Sequence, residues 1–167
     1  MKANAVKSPF HVHVFKDYLK FSAAHFIAYR GFREPLHGHN YQVSVRIEGE
    51  LGEDGYVLDF GLVKKAARRI CEALDERVIL PAKSDCIELS RAGGQVVARY
   101  EDGATFSFPE ADTALLPIVH SSAEELARYV LSRLREELPD LRQRGVRSVE
   151  VGVAEAPGQV AYYRESP

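Results

Sequence analysis

A half-buried β-strand is encoded by His37–Glu48, whose sequence is HGHNYQVSVRIE. The odd positions end in an apolar row from Val43 to Ile47, whereas the even positions are mostly polar. A period of two places successive side chains on opposite faces, so the odd face is expected to pack on a core. His37 and His39 lie in phase with that row. The stretch therefore predicts a sheet with one covered face and two imidazoles on the covered side.

Neighbouring segments complete an order of strand, strand, helix, helix, strand, strand. An earlier strand alternates through Leu19–His25, and a helix after Gly61 is expected to end near Asp75. A second helix is expected to start at the capping pair Ser121 and Ser122, each followed three residues later by a glutamate. Closing strands are predicted at about 148–155 and 159–164, and a hairpin at 95–108 turns at its Asp-Gly pair.

Composition excludes several classes of protein. The 167 residues have room for one domain, and the net charge of -2 with a pI near 6.3 argues against a nucleic-acid partner. No apolar run reaches the ~20 residues of a membrane-spanning helix. Met1–Lys7 lacks the apolar stretch of a secretory signal and there are only two cysteines, so a cytoplasmic location is expected.

The domain prediction has three parts. They are an N-terminal extension at 1–14, a main domain at 15–167, and a peripheral hairpin insertion within it at about 93–110.

A third histidine shares the phase of the first two. His25 falls in register with Phe21 and the rest of its strand, so antiparallel pairing would bring it opposite His37 and His39. Three histidines without a nearby cysteine describe a catalytic zinc site with an open coordination position. The alternative is a set of hydrogen-bonded core histidines. The pair in His11–His13 has the same spacing but no third partner, and is assigned to structure or solvent.

Four carboxylates stand in informative places. Glu155 continues the inward face of a valine-rich strand, so it either marks where the strand leaves the core or accepts hydrogen bonds from a ligand. Glu34 precedes His37 by three residues and is either solvated or a general base beside the metal. Asp75 and Glu76 close the first helix, where acidic groups oppose the helix dipole.

Taken together, these motifs resemble the 6-pyruvoyltetrahydropterin synthase family, which includes the 6-carboxytetrahydropterin synthases. The resemblance covers about residues 15 to 165 and rests on an ordered set of motifs: Phe21–His25, Leu36–Tyr41, Tyr56–Phe60, Leu74-Asp75, Ser121–Glu124 and Val153–Glu155. It implies an α+β tunnelling fold, with a four-stranded antiparallel sheet and two helices on one face. It also implies a homo-oligomeric barrel, expected to be a hexamer, with active sites at subunit interfaces.

The resemblance also implies roles for individual residues. His25, His37 and His39 match the family's zinc ligands. Glu155 matches the glutamate that anchors the pterin ring, and Ser122 a hydroxyl residue near that ring.

Two departures concern the catalytic groups. Asp75 matches the aspartate of the catalytic relay, but Glu76 stands where family members usually have histidine. The catalytic cysteine expected before the His-Gly-His motif is absent from Arg30–Leu36. The sequence is similar there to a branch in which glutamate, here Glu34, takes the place of that cysteine.

That branch cleaves 7,8-dihydroneopterin triphosphate to 6-hydroxymethyl-7,8-dihydropterin, and this zinc-dependent lyase reaction is the function expected here. With Glu76 in place of histidine, the expectation is slower turnover, a different proton donor such as Glu76 itself, or a modified pteridine substrate. Two alternatives stay open: a 6-carboxytetrahydropterin synthase-like activity, and a catalytically weakened homologue that binds zinc and pterin.

Overall fold

The computed structural model describes residues 9–167. Within them the chain forms two α-helices, α1 (Phe60–Leu74) and α2 (Ala123–Glu137), and one 3₁₀ turn, Glu110–Asp112. The strands are β1 (Phe10–His25), β2 (Ala28–Tyr29), β3 (Phe32–Arg33), β4 (His37–Gly49), β5 (Arg77–Pro81), β6 (Ile87–Ala92), β7 (Gln95–Tyr100), β8 (Thr105–Pro109), β9 (Thr113–Leu116), β10 (Val146–Ala156) and β11 (Gln159–Glu165). Residues 1–8 of the predicted N-terminal extension lie outside the described part, and β1 already begins at Phe10.

The main sheet has six strands in the order β11-β10-β4-β1-β5-β9. Four of them, β1, β4, β10 and β11, pair antiparallel, as the sequence predicted. Two short strands are additional: β5 pairs parallel with the end of β1, and β9 pairs parallel with β5. The sequence missed them because a strand of only four or five residues carries too little periodicity to be identified.

A β-bulge in β1 sets which of its side chains face the core. The register of β1 on β4 shifts between residues 15 and 20. Gln42 bridges the irregularity, since its side-chain amide donates to the carbonyl oxygens of Lys16 and Leu19 at 2.8 and 3.0 Å. Beyond the bulge the odd-numbered residues of β1 are buried, ending at His25, which is 1% exposed. The predicted phase of this strand is therefore correct.

Both helices cover the same face of the sheet, and their apolar sides form one core with the inward residues of the long strands. Asp59 caps α1 by accepting a hydrogen bond from the Gly61 N–H at 2.7 Å, and Ser122 caps α2 by accepting one from Glu125. Capping residues of this kind satisfy the free N–H groups of a first helical turn. Neither helix within residues 9–167 is long and apolar enough to cross a membrane.

The insertion is a separate three-stranded antiparallel sheet, β6-β7-β8, with its predicted turn between β7 and β8. It begins at Ile87, earlier than the predicted hairpin, because β6 adds a third strand. This sheet packs on a second apolar cluster that includes Phe26 and Ala28, the residues just beyond β1. The insertion therefore lies against the segment that connects β1 to the small β2–β3 hairpin.

Candidate metal centre and surrounding pocket

Three histidine side chains converge where β1 ends beside the start of β4. In the antiparallel register, His25 lies opposite His37 and Ala23 lies opposite His39. The ring centroid of His25 is 4.6 Å from that of His37 and 5.2 Å from that of His39. One nitrogen of each ring can be chosen so that all three lie within 4.8 Å of one another. The two strands thus bring together the side chains that the sequence phase placed on one face.

Two of these rings are oriented by backbone carbonyl groups. His25 Nδ1 donates to the carbonyl oxygen of Ser121 at 2.8 Å, and His37 Nδ1 donates to that of Pro35 at 2.9 Å. A carbonyl oxygen can only accept, so the proton resides on Nδ1 and the Nε2 lone pair is free. His25 Nε2 is buried without a hydrogen-bond partner among the described residues. Metal-bound histidines use this pattern, in which the second ring nitrogen fixes the tautomer.

The charge state of His25 also suits a ligand. Burial lowers the pKa of His25 to about 4, against the smaller opposing effects of its bond to Ser121 and of the Glu34 charge, and the nearby His37 and His39 lower it further. At neutral pH the imidazole is therefore uncharged, which is the form that coordinates metals. His37 is exposed, so the cluster opens to solvent on one side. Three histidine nitrogen donors with an accessible side fit a catalytic zinc ion.

Glu34 is fixed by a reciprocal pair of hydrogen bonds with one residue. Its N–H donates to the Ile27 carbonyl oxygen at 2.9 Å, and its Oε2 accepts from the Ile27 N–H at 2.9 Å. The carboxylate lies close enough to act on the pKa of both His25 and Tyr41, raising each. One carboxylate oxygen is thus held by the backbone beside the histidine cluster.

Tyr41 is a site residue that the sequence reasoning did not single out. Its ring is fully buried, lies 5.9 Å from His25 and 5.5 Å from His39, and stacks on Phe21. Its hydroxyl has no hydrogen-bond partner within residues 9–167, and burial, followed by the charges of Glu155 and Glu34, raises its pKa. The available signal was its phase, since it continues the row of inward histidines on β4.

Glu155 and Ser122 line one pocket of about 340 Å³, together with Ile27. Glu155 stands near the end of β10, where the pairing with β11 shifts register after Ala154. Ser122 stands at the start of α2, where its Oγ accepts from the Glu125 N–H. Because Ile27 also holds Glu34, this pocket adjoins the carboxylate beside the metal centre.

Asp75 and Glu76 lie elsewhere. Asp75 Oδ1 accepts from the Ser22 N–H, and the Glu76 N–H donates to the Ser22 carbonyl oxygen, both at 2.7 Å. Glu76 has a φ of 56°, a left-handed conformation that costs a non-glycine residue free energy. Glu76 lines a pocket of about 460 Å³ with Ser22 and Asn40. The side chains of Ser22 and Asn40 alternate along their strands with the inward-facing side chains. That pocket also touches His39, and it is distinct from the pocket that Glu155 and Ser122 line.

A surface groove of about 890 Å³ runs along α2, and none of the predicted site residues lines it. Its basic side chains include Arg128 and Arg135, which are paired with Glu125 and Glu165. Predicted site residues instead line the smaller pockets described above.

Comparisons with known proteins agree on one family. The sequence model described as 6-pyruvoyl tetrahydropterin synthase matches residues 14–166. A Methanocaldococcus jannaschii protein, provisionally named 6-carboxy-5,6,7,8-tetrahydropterin synthase, is 34% identical over 148 residues, which are 88% of this chain and 90% of that protein. A Pyrococcus furiosus dihydroneopterin monophosphate aldolase is 40% identical over 57 residues, 34% of this chain and 48% of that protein.

A crystal structure of Plasmodium vivax 6-pyruvoyl tetrahydropterin synthase superposes with a TM-score of 0.93 at 41% identity, covering 96% of this chain and 100% of that one. Another structure of the same protein, described as a catalytic-residue mutant with a glutamate changed to alanine, gives a TM-score of 0.92.

Proposed function

The chain belongs to the 6-pyruvoyl tetrahydropterin synthase family and has its tunnelling fold, and from that premise we propose that it is a zinc-dependent lyase acting on 7,8-dihydroneopterin triphosphate. The products are 6-hydroxymethyl-7,8-dihydropterin and an aldehyde that carries the triphosphate. One observation carries the proposal: a carboxylate, Glu34, stands beside three convergent histidines in a loop without cysteine. A glutamate is also a catalytic residue in the similar P. vivax protein.

The histidines would hold the metal. His25, His37 and His39 present three nitrogen donors, and a bound zinc ion supplies a Lewis acid for the side-chain hydroxyls of the substrate. The carbonyl oxygens of Ser121 and Pro35 keep two of the rings in the required tautomer.

Glu34 moves the proton. Cleavage requires a base that takes the proton from the hydroxyl of the second side-chain carbon. It also requires an acid that returns a proton to the ring-attached carbon, where the electron pair of the broken carbon–carbon bond arrives. Glu34 performs both steps in turn and is regenerated, a role worth about 10²–10⁴-fold in rate. Ile27 holds Oε2, which leaves Oε1 for the substrate.

Glu155 and Ser122 orient the ring. A carboxylate accepts two parallel hydrogen bonds from the amino and ring N–H groups of a pterin, in the manner of an arginine–carboxylate pair. Glu155 faces the pocket that it shares with Ser122, next to the residue that holds Glu34. A ring bound there directs its side chain toward the histidines.

We also propose that the active unit is a homo-oligomer, expected to be a hexamer. Asp75 and Glu76 match the relay positions of the family, yet Asp75 binds the Ser22 N–H and Glu76 lines a different pocket from the one that Glu155 and Ser122 share. A neighbouring copy would supply the pair to the zinc site, so that the active site forms at a subunit interface.

The second candidate is a 6-carboxytetrahydropterin synthase-like activity. The 34% identity to the M. jannaschii protein favours it. The absence of cysteine from Arg30–Leu36 argues against it. A third reading is a zinc- and pterin-binding homologue with weakened turnover, for which the replacement of histidine by Glu76 is the argument.

Product identification separates the three. Zinc-loaded protein is incubated with 7,8-dihydroneopterin triphosphate and the products are identified by mass spectrometry. Formation of 6-hydroxymethyl-7,8-dihydropterin, lost in Glu34→Ala and kept in the exposed loop variant Glu53→Ala, supports the lyase. A 6-carboxy product supports the second candidate, and binding without any product supports the third; either outcome, or a 6-pyruvoyl product, excludes the proposal.

A further inference from the structure

The insertion sheet β6–β8 contacts the segment Phe26–Glu34 at several points. None of the predicted site residues lies on the insertion itself. Phe106 of β8 stacks on Phe26 with ring centroids 4.8 Å apart. Phe26 immediately precedes Ile27, the residue whose N–H and carbonyl group both bind Glu34. The insertion thus packs against the residue next to Ile27, which holds Glu34 by two hydrogen bonds.

The tip of the β7–β8 hairpin binds the turn of the β2–β3 hairpin. Glu101 Oε1 accepts from the Gly31 N–H at 2.6 Å and from the Tyr100 hydroxyl at 3.0 Å. The same hydroxyl also lies 2.8 Å from the carbonyl oxygen of Tyr29. Gly31 has a φ of 83°, a conformation that glycine adopts without strain. The Glu101 carboxylate therefore ties together the turn of one hairpin and the end of a strand of the other.

Arg33, the residue before Glu34, is held in the same way. Its guanidinium carbon lies 5.2 Å from the centroid of the Phe106 ring, and its Nε lies 3.6 Å from Asp102 Oδ2. Its Nη1 donates to the carbonyl oxygen of Glu34 at 3.0 Å. The insertion therefore contacts both Phe26, the residue before Ile27, and Arg33, the residue before Glu34.

We infer that the insertion sheet is a positioning device for Glu34, and that Glu101 is the residue through which it sets the place of that carboxylate. The inference rests on the proposed function for its kinetic consequence. Two short strands, each of two residues, form the hairpin that leads to Glu34, and a hairpin of that size is not stable alone. The contacts from Glu101, Asp102 and Phe106 supply the missing order.

The kinetic test compares Glu101→Ala with Glu101→Gln and with Glu88→Ala, which removes an exposed carboxylate elsewhere on the insertion. In Glu101→Ala we expect kcat to fall about 10- to 100-fold, because small displacements of a catalytic group are costly. KM, zinc content and melting temperature should stay near those of the starting protein. Glu101→Gln keeps an acceptor for the Gly31 N–H and should restore most of the rate. Glu88→Ala should match the starting protein.

A double-mutant cycle identifies the path of the effect. If Glu101 acts through Glu34, its removal from the Glu34→Ala variant should slow the reaction by less than about twofold. The inference would be overturned if the fold-loss in rate of the double variant equals the product of the two single losses. An unchanged kcat in Glu101→Ala would also overturn it.

Hydrogen–deuterium exchange tests the positioning without any chemistry. The Ile27 N–H binds the Glu34 carboxylate, so its exchange reports on the place of that side chain. We expect faster exchange at Ile27 and Gly31 in Glu101→Ala and unchanged exchange in Glu88→Ala. If Glu34→Ala leaves product formation intact, the proposed function fails, and the Ile27 exchange then decides alone whether Glu101 positions Glu34. Unchanged exchange at Ile27 in Glu101→Ala contradicts the inference in either case.

Discussion

The imidazole of His25 donates a hydrogen bond from Nδ1 to the carbonyl oxygen of Ser121, and this bond joins the end of β1 to the residue before the cap of α2. The Ser121 hydroxyl reinforces the contact, since it lies 3.2 Å from the same nitrogen and donates to the Phe26 carbonyl oxygen at 3.0 Å. The ring of a candidate metal ligand is thus oriented by a residue 96 positions further along the chain.

Substitutions at the two adjacent serines should therefore have different effects, one on zinc affinity and the other on folding stability. Ser121→Ala removes the hydroxyl that supports the His25 orientation, and we expect zinc affinity to fall about 10-fold, as for other outer-shell partners of metal ligands. Ser122→Ala removes the α2 cap and should cost about 1 kcal/mol of folding free energy while leaving zinc affinity unchanged. Chelator competition and thermal unfolding measure the two effects. Equal zinc affinities in both variants would contradict the assigned role of Ser121.

The metal-free protein should lose stability as the pH falls. The pKa of His25 is lowered to about 4, from 6.5 in the unfolded chain, so the unfolded state alone binds a proton between these values. The free energy of unfolding should therefore decrease from pH 6.5 down to about 4, by about 3 kcal/mol at most, with no contribution from His25 above that window. Urea unfolding of apo protein and of His25→Asn measures this. The variant should show a smaller decrease, and equal slopes would argue against a buried neutral His25.

Glu155 and Glu150 both lie on β10, so a substitution at Glu150 is the control for one at Glu155. Glu155 faces the pocket beside Ile27, whereas Glu150 pairs with Arg46 at 3.0 Å. Glu155→Gln should weaken pterin binding about 10- to 100-fold, because a charge-assisted pair of hydrogen bonds becomes a neutral, mismatched one. Glu150→Gln should leave pterin affinity unchanged. Fluorescence titration with a dihydropterin measures both, and similar affinities for the two variants would remove Glu155 from the ring site.

Mixed oligomers test whether neighbouring copies share a site. Glu34→Ala and Asp75→Asn should each be inactive alone. If Glu34 of one copy works with Asp75 of another, co-expression should restore about a quarter of the activity through statistical assembly of intact sites. Product formation by the purified mixed oligomer measures this. Activity that stays at the level of the single variants would place both residues of one site on the same chain.

The sequence predicted the central sheet well because side-chain alternation is a local property. The common phase of His25, His37 and His39 could be read from neighbouring apolar residues, and the cap at Ser122 from its spacing to Glu125. The histidine cluster followed from strand pairing, since antiparallel strands place residues near a short connection opposite one another.

Other features depend on contacts that no local pattern encodes. The parallel additions β5 and β9 and the third strand of the insertion, β6, are short and are specified by neighbours distant in sequence. Tyr41 shares the phase of the histidines on β4, but phase indicates only burial and does not distinguish a site residue from a core residue. The different backbone partners of the two carboxylates, Ser22 for Asp75 and Ile27 for Glu34, emerged only from the three-dimensional arrangement of the chain.

The most direct test of the account is the single-turnover rate of the zinc-loaded protein on 7,8-dihydroneopterin triphosphate, compared with that of Glu34→Gln, with zinc content and bound pterin measured in the same samples. We predict that the change lowers the rate of 6-hydroxymethyl-7,8-dihydropterin formation by about 10²–10⁴-fold, with metal and pterin still bound. An unchanged rate, or a product with a different side chain from the starting protein, would contradict the account.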